Sequence, residues 1–205
     1  MRALVLIDIQ NDFMPGGALA VPDGDAVVPI ANALMARFSH VVATQDWHPP
    51  EHGSFASQHS GREPGERIEL DGLPQVLWPD HCIQGTQGAA FVEQLDTGKL
   101  DRVIRKGSNP EVDSYSGFAD NGQRIQTELH GHLQQAGVAE LYLCGVATDY
   151  CVKFTAMDAV ERGYRTYLVT DACRGVELSP GDIARALEEL AEAGVEFVES
   201  RELLA

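Results

Sequence analysis

"LYLCGVATDYCV", residues 141–152, passes from a continuous apolar run into a polar stretch within a few positions. The first half, "LYLCGV" (141–146), is short and apolar throughout, as a strand buried on both faces would be. From 149 to 162 the apolar spacing becomes helical, so the segment reads as strand, tight turn, helix. The same alternation extends both ways along the chain. "ALVLIDI" (3–9), "HVVATQD" (40–46), "RVIRK" (102–106), "RTYLVTDA" (165–172) and "VEFVES" (195–200) are further strand candidates. Helical patterns cover 25–38, 86–95, 122–136, 149–162 and 181–193. Gly137, Gly163 and Gly194 each follow a helical run and precede a strand, where a C-terminal cap belongs. Apolar strands alternating with helices predict an α/β fold: a three-layer α-β-α domain around a central, mostly parallel sheet of six strands.

The 205 residues suit one domain, 1–205, with no repeat and no linker. A formal net charge of −16, from 31 acidic and 15 basic residues, argues against a nucleic-acid partner. No run has the length of a membrane span, and the N-terminal apolar stretch meets Asp8 too early for a signal peptide. A cytoplasmic protein is expected. Cys82, Cys144, Cys151 and Cys173 include no C-x-x-C pair, so free thiols are expected, most of them buried and inert. Nothing in the sequence decides between a monomer and a homo-oligomer.

Residues 47–85 and 107–121 break the alternation. They read as long irregular loops leaving the C-terminal ends of strands, the edge at which open α/β sheets bind ligands. That edge gathers the residues that could carry chemistry. Asp8 ends the first strand, Asp46 and His48 follow the second, Lys106 ends the third, and Cys151 opens the helix after the fourth. Thr148 or Asp149 stands where an N-cap is expected, which puts Cys151 in a first turn whose dipole favours a thiolate. A packing cysteine is the competing reading. Asp8 could take the thiol proton and return it to a leaving amine, although a turn-forming aspartate is commoner, and Asp12 reads that way. Lys106 could hold the two charges together; a solvated strand-end lysine is the ordinary alternative.

"TQDWHPPEH" and "WPDHC" form a second constellation. Asp46, His48 and His81 make one carboxylate and two imidazoles, a set that leaves coordination positions open. Zinc suits it, and iron or manganese would also serve. His52 and Ser54 lie close enough in sequence to add a fourth or water-mediated contact. His40, His59, His130 and His132 read as solvated loop or surface histidines. Phe13, Trp78 and Tyr115 stand beside these groups and could wall a flat aromatic substrate, though core packing is their usual role.

"LVLIDIQNDFMPGGALAV", "ATQDWHPPEHGSFA", "WPDHCIQGTQGAAF", "VIRKG" and "CGVATDYCVKFTAMDA" occur in order along nearly the whole chain. Together they resemble the nicotinamidases (pyrazinamidases) of the isochorismatase-like, or cysteine hydrolase, family. The resemblance implies that Asp8, Lys106 and Cys151 are a catalytic triad. It implies that Asp46, His48 and His81 hold one divalent metal ion against the substrate's ring nitrogen, and that Phe13, Trp78 and Tyr115 line the pocket. It also implies a cis Val146–Ala147 bond, with the amides of Ala147 and Cys151 as oxyanion hole. The family's fourth metal position varies, and Ser54 stands near where some members have histidine. The implied activity is hydrolysis of nicotinamide to nicotinate and ammonia in NAD salvage, with pyrazinamide as a further substrate. The rivals are a related cysteine hydrolase acting on another small amide or ureido compound, and a non-catalytic protein whose metal only staples a lid.

Overall fold

A computed structural model describes residues 1–205. The first four strands are β1 (Arg2–Ile7), β2 (Val41–Asp46), β3 (Arg67–Leu70) and β4 (Leu73–Val76). The others are β5 (Arg102–Lys106), β6 (Glu140–Val146), β7 (Arg165–Arg174) and β8 (Glu196–Val198). Six of them form one sheet in the order β5-β2-β1-β6-β7-β8, with every neighbouring pair parallel. The helices are α1 (Val27–Met35), α2 (Leu129–Gln135), α3 (Lys153–Glu161), α4 (Asp182–Ala193) and α5 (Ser200–Leu204). They surround the sheet, as strands apolar on both faces require. Leu4, Val5, Leu6 and Ile7 of β1 have no exposure and lie within a core of 45 buried residues.

The chain runs outward from β1 through β2 to β5, then returns to β6 on the other side of β1. Connections leaving β1 and β6 therefore diverge, which opens a crevice at the C-terminal ends of these two strands. The two strands approach closely at that end. Gly145 has φ 123°, and a side chain there would put its Cβ 2.8 Å from Ile7 N.

Several expected boundaries shift for identifiable reasons. β1 stops at Ile7 because Asp8 takes a left-handed backbone (φ 50°) and turns the chain out of the sheet. Residues 86–95 are not helical. Their carbonyls serve the β1 loop instead: Asn11 N donates to Ala90 O and Asp12 N to Gly88 O, each at 3.0 Å. Only 129–135 of the 122–136 pattern is helical. The 47–85 segment is not wholly irregular, because it contains the antiparallel hairpin β3–β4. Its turn is Asp71–Gly72, both with positive φ, the pair that two-residue hairpins favour. Beyond β8, Glu199 and Glu202 form a capping box that starts α5, which the sequence pattern did not suggest. Gly137, Gly163 and Gly194 adopt the positive φ expected of C-terminal caps.

Candidate active site

Lys106 is the centre of the site. It ends β5 with its side chain turned inward and is 2 % exposed. Its Nζ lies 3.0 Å from Asp8 Oδ2 and 2.5 Å from Asp46 Oδ1, and it donates to Ser114 O at 2.9 Å and Cys151 Sγ at 3.3 Å. Asp8, Asp46 and Cys151 offer atoms that all fall within 4.8 Å of one another. Asp8 Oδ1 accepts the Thr44 hydroxyl at 2.6 Å, while the fully buried Oδ2 has only its ion pair with Lys106. A carboxylate so placed beside a thiol can receive its proton.

Cys151 does not sit in the first turn of an ordinary capped helix. Thr148–Val152 form a π turn ahead of α3, led by Ala147 with no side-chain cap. Asp149 faces elsewhere and accepts Val176 N at 2.9 Å and Glu177 N at 2.8 Å. The Val146–Ala147 peptide is cis. Burial pushes the Cys151 thiol well above its usual range; Lys106 opposes this and Asp8 adds to it. Burial thus works against the dipole-stabilised thiolate expected at this position. Burial likewise raises Asp8 against the pull of Lys106. For Lys106, burial works downward, yet Asp46 and Asp8 hold it well above the ordinary lysine range.

Asp46, His48 and His81 converge, their ligand atoms all within 4.8 Å. His48 Nε2 is 3.6 Å and His81 Nε2 is 3.9 Å from Asp46 Oδ2. Each imidazole spends its other nitrogen on a backbone carbonyl: His48 Nδ1 on Gly107 O at 2.8 Å, His81 Nδ1 on Pro79 O at 2.7 Å. That arrangement fixes the ring and leaves the Nε2 lone pair facing the carboxylate, as in metal-binding histidines. Burial would raise Asp46, but Lys106 and His48 hold it far below the usual carboxylate range. Burial and His48 bring His81 down to about 4. Burial alone would lower His48, and Asp46 outweighs it upward. One anion and two imidazoles with preset donor atoms fit a divalent cation.

These two groups share a cavity with an empty volume of ≈ 360 Å³, its mouth included. Phe13, Trp78 and Tyr115 line it as expected, together with Ala147, Cys151, Asp46, His48 and His81. Trp78 Nε1 donates to the Tyr115 hydroxyl at 3.2 Å, and Phe13 packs edge-on to His81 at 5.6 Å.

A family model, the isochorismatase domain, matches residues 2–202. The chain belongs to the isochorismatase family. It is 52 % identical over 197 residues to a nicotinamidase of Escherichia coli, covering 94 % of this chain and 92 % of that protein. A solved nicotinamidase–pyrazinamidase of Acinetobacter baumanii superposes with a TM-score of 0.96 at 46 % identity, covering 99 % and 98 % of the two chains. A pyrazinamidase of Pyrococcus horikoshii, solved in complex with zinc, gives 0.78 at 40 % identity, covering 97 % and 98 %. This isochorismatase-family chain is thus an enzyme, a hydrolase acting on an amide.

Within this family fold, four contributors escape a reading of the sequence. Tyr150 joins the aromatic wall, 4.9 Å from Trp78 and 5.3 Å from Tyr115. Asp113, from the second long loop, is 4 % exposed and lines the same cavity. Thr44 braces Asp8. Gln10 clamps Asp46, accepting its N–H and donating to its carbonyl, both at 2.8 Å. Only the "DIQNDF" spacing hints at Gln10. Asp12 is the turn residue it was expected to be, and it also accepts Cys82 N at 2.7 Å, which fixes the loop carrying His81. His52 is fully buried and Ser54 binds its Nδ1 at 2.7 Å. His59 Nε2 donates to Gly53 O, and His130 pairs with the Tyr164 hydroxyl, so neither is simply solvated. His40 and His132 stack on each other with ring centroids 4.9 Å apart.

Proposed function

We propose that the enzyme is a nicotinamidase, a cysteine amidohydrolase that converts nicotinamide to nicotinate and ammonia for NAD salvage in the cytoplasm. Pyrazinamide, whose ring carries a nitrogen in the same place, is a second substrate. One observation carries this reading: a single buried ammonium, Lys106, touches Asp8, Cys151 and Asp46, joining a nucleophile to a cation-binding set at one cavity. The 52 % identical nicotinamidase and the zinc-containing pyrazinamidase support it.

In this mechanism Asp8, through the Oδ2 that faces Lys106, takes the Cys151 proton as Sγ attacks the amide carbon. Lys106 keeps the carboxylate and nascent thiolate together without supplying a proton. The oxyanion is held by the backbone amides of Ala147 and Cys151. Asp8 then protonates the departing ammonia, leaving an acyl thioester on Cys151. Asp8 next takes a proton from water as it attacks the thioester carbon, nicotinate leaves, and Sγ recovers its proton. Phe13, Trp78, Tyr115 and Ala147 exclude bulk water and hold the ring flat. Asp46, His48 and His81 would hold a divalent ion, zinc first and iron or manganese next, which supplies a Lewis-acidic contact for the ring nitrogen.

Ammonia release from nicotinamide by the wild type and by Cys151→Ala tests the reading. The wild type should turn over and Cys151→Ala should lose at least about 10³-fold, the scale on which removing a nucleophile acts. Equal rates would remove the covalent mechanism. No release by either would point to a different small amide or ureido substrate.

A further inference from the structure

His52 carries a buried polar atom that the mechanism above does not use. The residue has no solvent exposure, and its Nδ1 is occupied by Ser54, by the hydroxyl at 2.7 Å and the backbone N–H at 3.2 Å. Its Nε2 is buried without any partner. A buried imidazole nitrogen left unpaired costs free energy, so such atoms normally face a water or an ion. The ring stands 4.3 Å from that of His48, and Phe55 packs against both. Asp113 lies on the same side. Its Oδ1 accepts Ser114 N at 2.7 Å and its Oδ2 accepts Gln75 Nε2 at 2.9 Å, leaving lone pairs over.

His48, His52 and Asp113 offer ligand atoms within 4.8 Å of one another, as Asp46, His48 and His81 do. His48 is common to both sets, and with Nδ1 committed to Gly107 O only one of its nitrogens is open. It can therefore serve one ion, not two. Two ligands of the same ion stand at most about 4.2 Å apart, twice a metal–nitrogen bond. His52 falls outside the 4.8 Å grouping of Asp46, His48 and His81, too far to share their ion as a ligand, yet its ring stands against that of His48, a member of the set.

Building on the ion-binding reading, we infer that His52 and Asp113 each hydrogen-bond a water on the ion carried by Asp46, His48 and His81. His52 is a positioning residue with Ser54 setting its ring, so Ser54 acts behind His52 and is not itself a ligand. The unpartnered Nε2 of His52 and the spare lone pairs of Asp113 would reward a water bound beside His48. That favours a water-retaining ion over a closed tetrahedral one.

Metal-depleted protein reloaded with Co²⁺ tests this without turnover. Affinity is read by competition with a chromophoric chelator, and coordination by the visible absorption of the bound ion. The wild type should bind one Co²⁺ with the weak visible bands of a six-coordinate ion. His52→Leu and Asp113→Asn should bind about 10–100-fold more weakly, the usual cost of losing an outer partner. Their bands should strengthen as water is lost. His52→Gln, which returns an amide to the place of Nε2, should recover most of the affinity, and equal far-UV circular dichroism spectra would show that all variants fold. Wild-type affinity and spectrum in both His52→Leu and Asp113→Asn would overturn this inference alone. A folded wild type that takes up no Co²⁺ would overturn it together with the ion-binding reading beneath it.

Discussion

Lys106 places a full positive charge where water does not reach, between two carboxylates that are themselves buried. Removing one partner from such a cluster leaves the others uncompensated. Lys106→Met should therefore lose about 3–5 kcal/mol of stability in urea unfolding, as well as activity. A variant as stable as the wild type would show that the ion pairs carry little. Thr44 acts on the same acid from the other side. Its hydroxyl favours the Asp8 carboxylate; in the proposed mechanism Asp8 must be ionised to receive the thiol proton, so activity should fall as pH drops through its pKa. Thr44→Val removes a bond to the charged form and leaves Lys106 alone to oppose burial there. The acid limb of kcat/KM should move to higher pH. An unmoved limb would mean that another group sets it. At this scale the sequence exposed the chemistry-bearing residues by type and strand-end position. Thr44 and Gln10 stayed hidden because a threonine or glutamine in an apolar run looks the same whether it packs or braces a catalytic group.

Elements deliver these residues through a few backbone positions. Gly107, just past β5, has φ 66°, and an added Cβ would lie 2.7 Å from His48 Nδ1, the atom that bonds Gly107 O. Gly107→Ala would strain this turn and displace the imidazole. Metal affinity should drop about 10–100-fold by chelator competition, matching the loss of a partner that orients a ligand. Unchanged affinity would show that the loop absorbs the methyl group. Periodicity located β1, β2, β5, β6 and α4 within a few residues, because each is apolar in a pattern its own geometry demands. It failed over 86–95, where a helical spacing is overruled because Gln10 and Gln45 claim the Ala89 carbonyl, both at 2.9 Å. It also missed β3–β4, whose four-residue strands are too short to show a period.

At the scale of the molecule, the reversal of strand order at β1 and β6 brings distant segments to one rim, and an ion bound there would join β2 to the loop carrying His81. Such an ion stabilises the folded state by mass action, by about 2.7 kcal/mol when free ion is one hundred times the dissociation constant. Chelation should lower Tm by about 5–10 °C in a protein of this size. A melting curve indifferent to chelator would argue against a bound ion. No helix of the molecule is long and apolar enough to cross a membrane.

By itself the sequence determined an α/β sheet, its strands, and which residue types stand at the strand ends, since periodicity and turn chemistry are local properties of the chain. Motif order added the family. Only the tertiary structure decided that Lys106 binds Asp46 as well as Asp8 and Cys151, that burial raises the Cys151 thiol, and that His52 and Asp113 group with His48. Those facts depend on burial and on distances between segments up to 100 residues or more apart, and a linear pattern encodes neither.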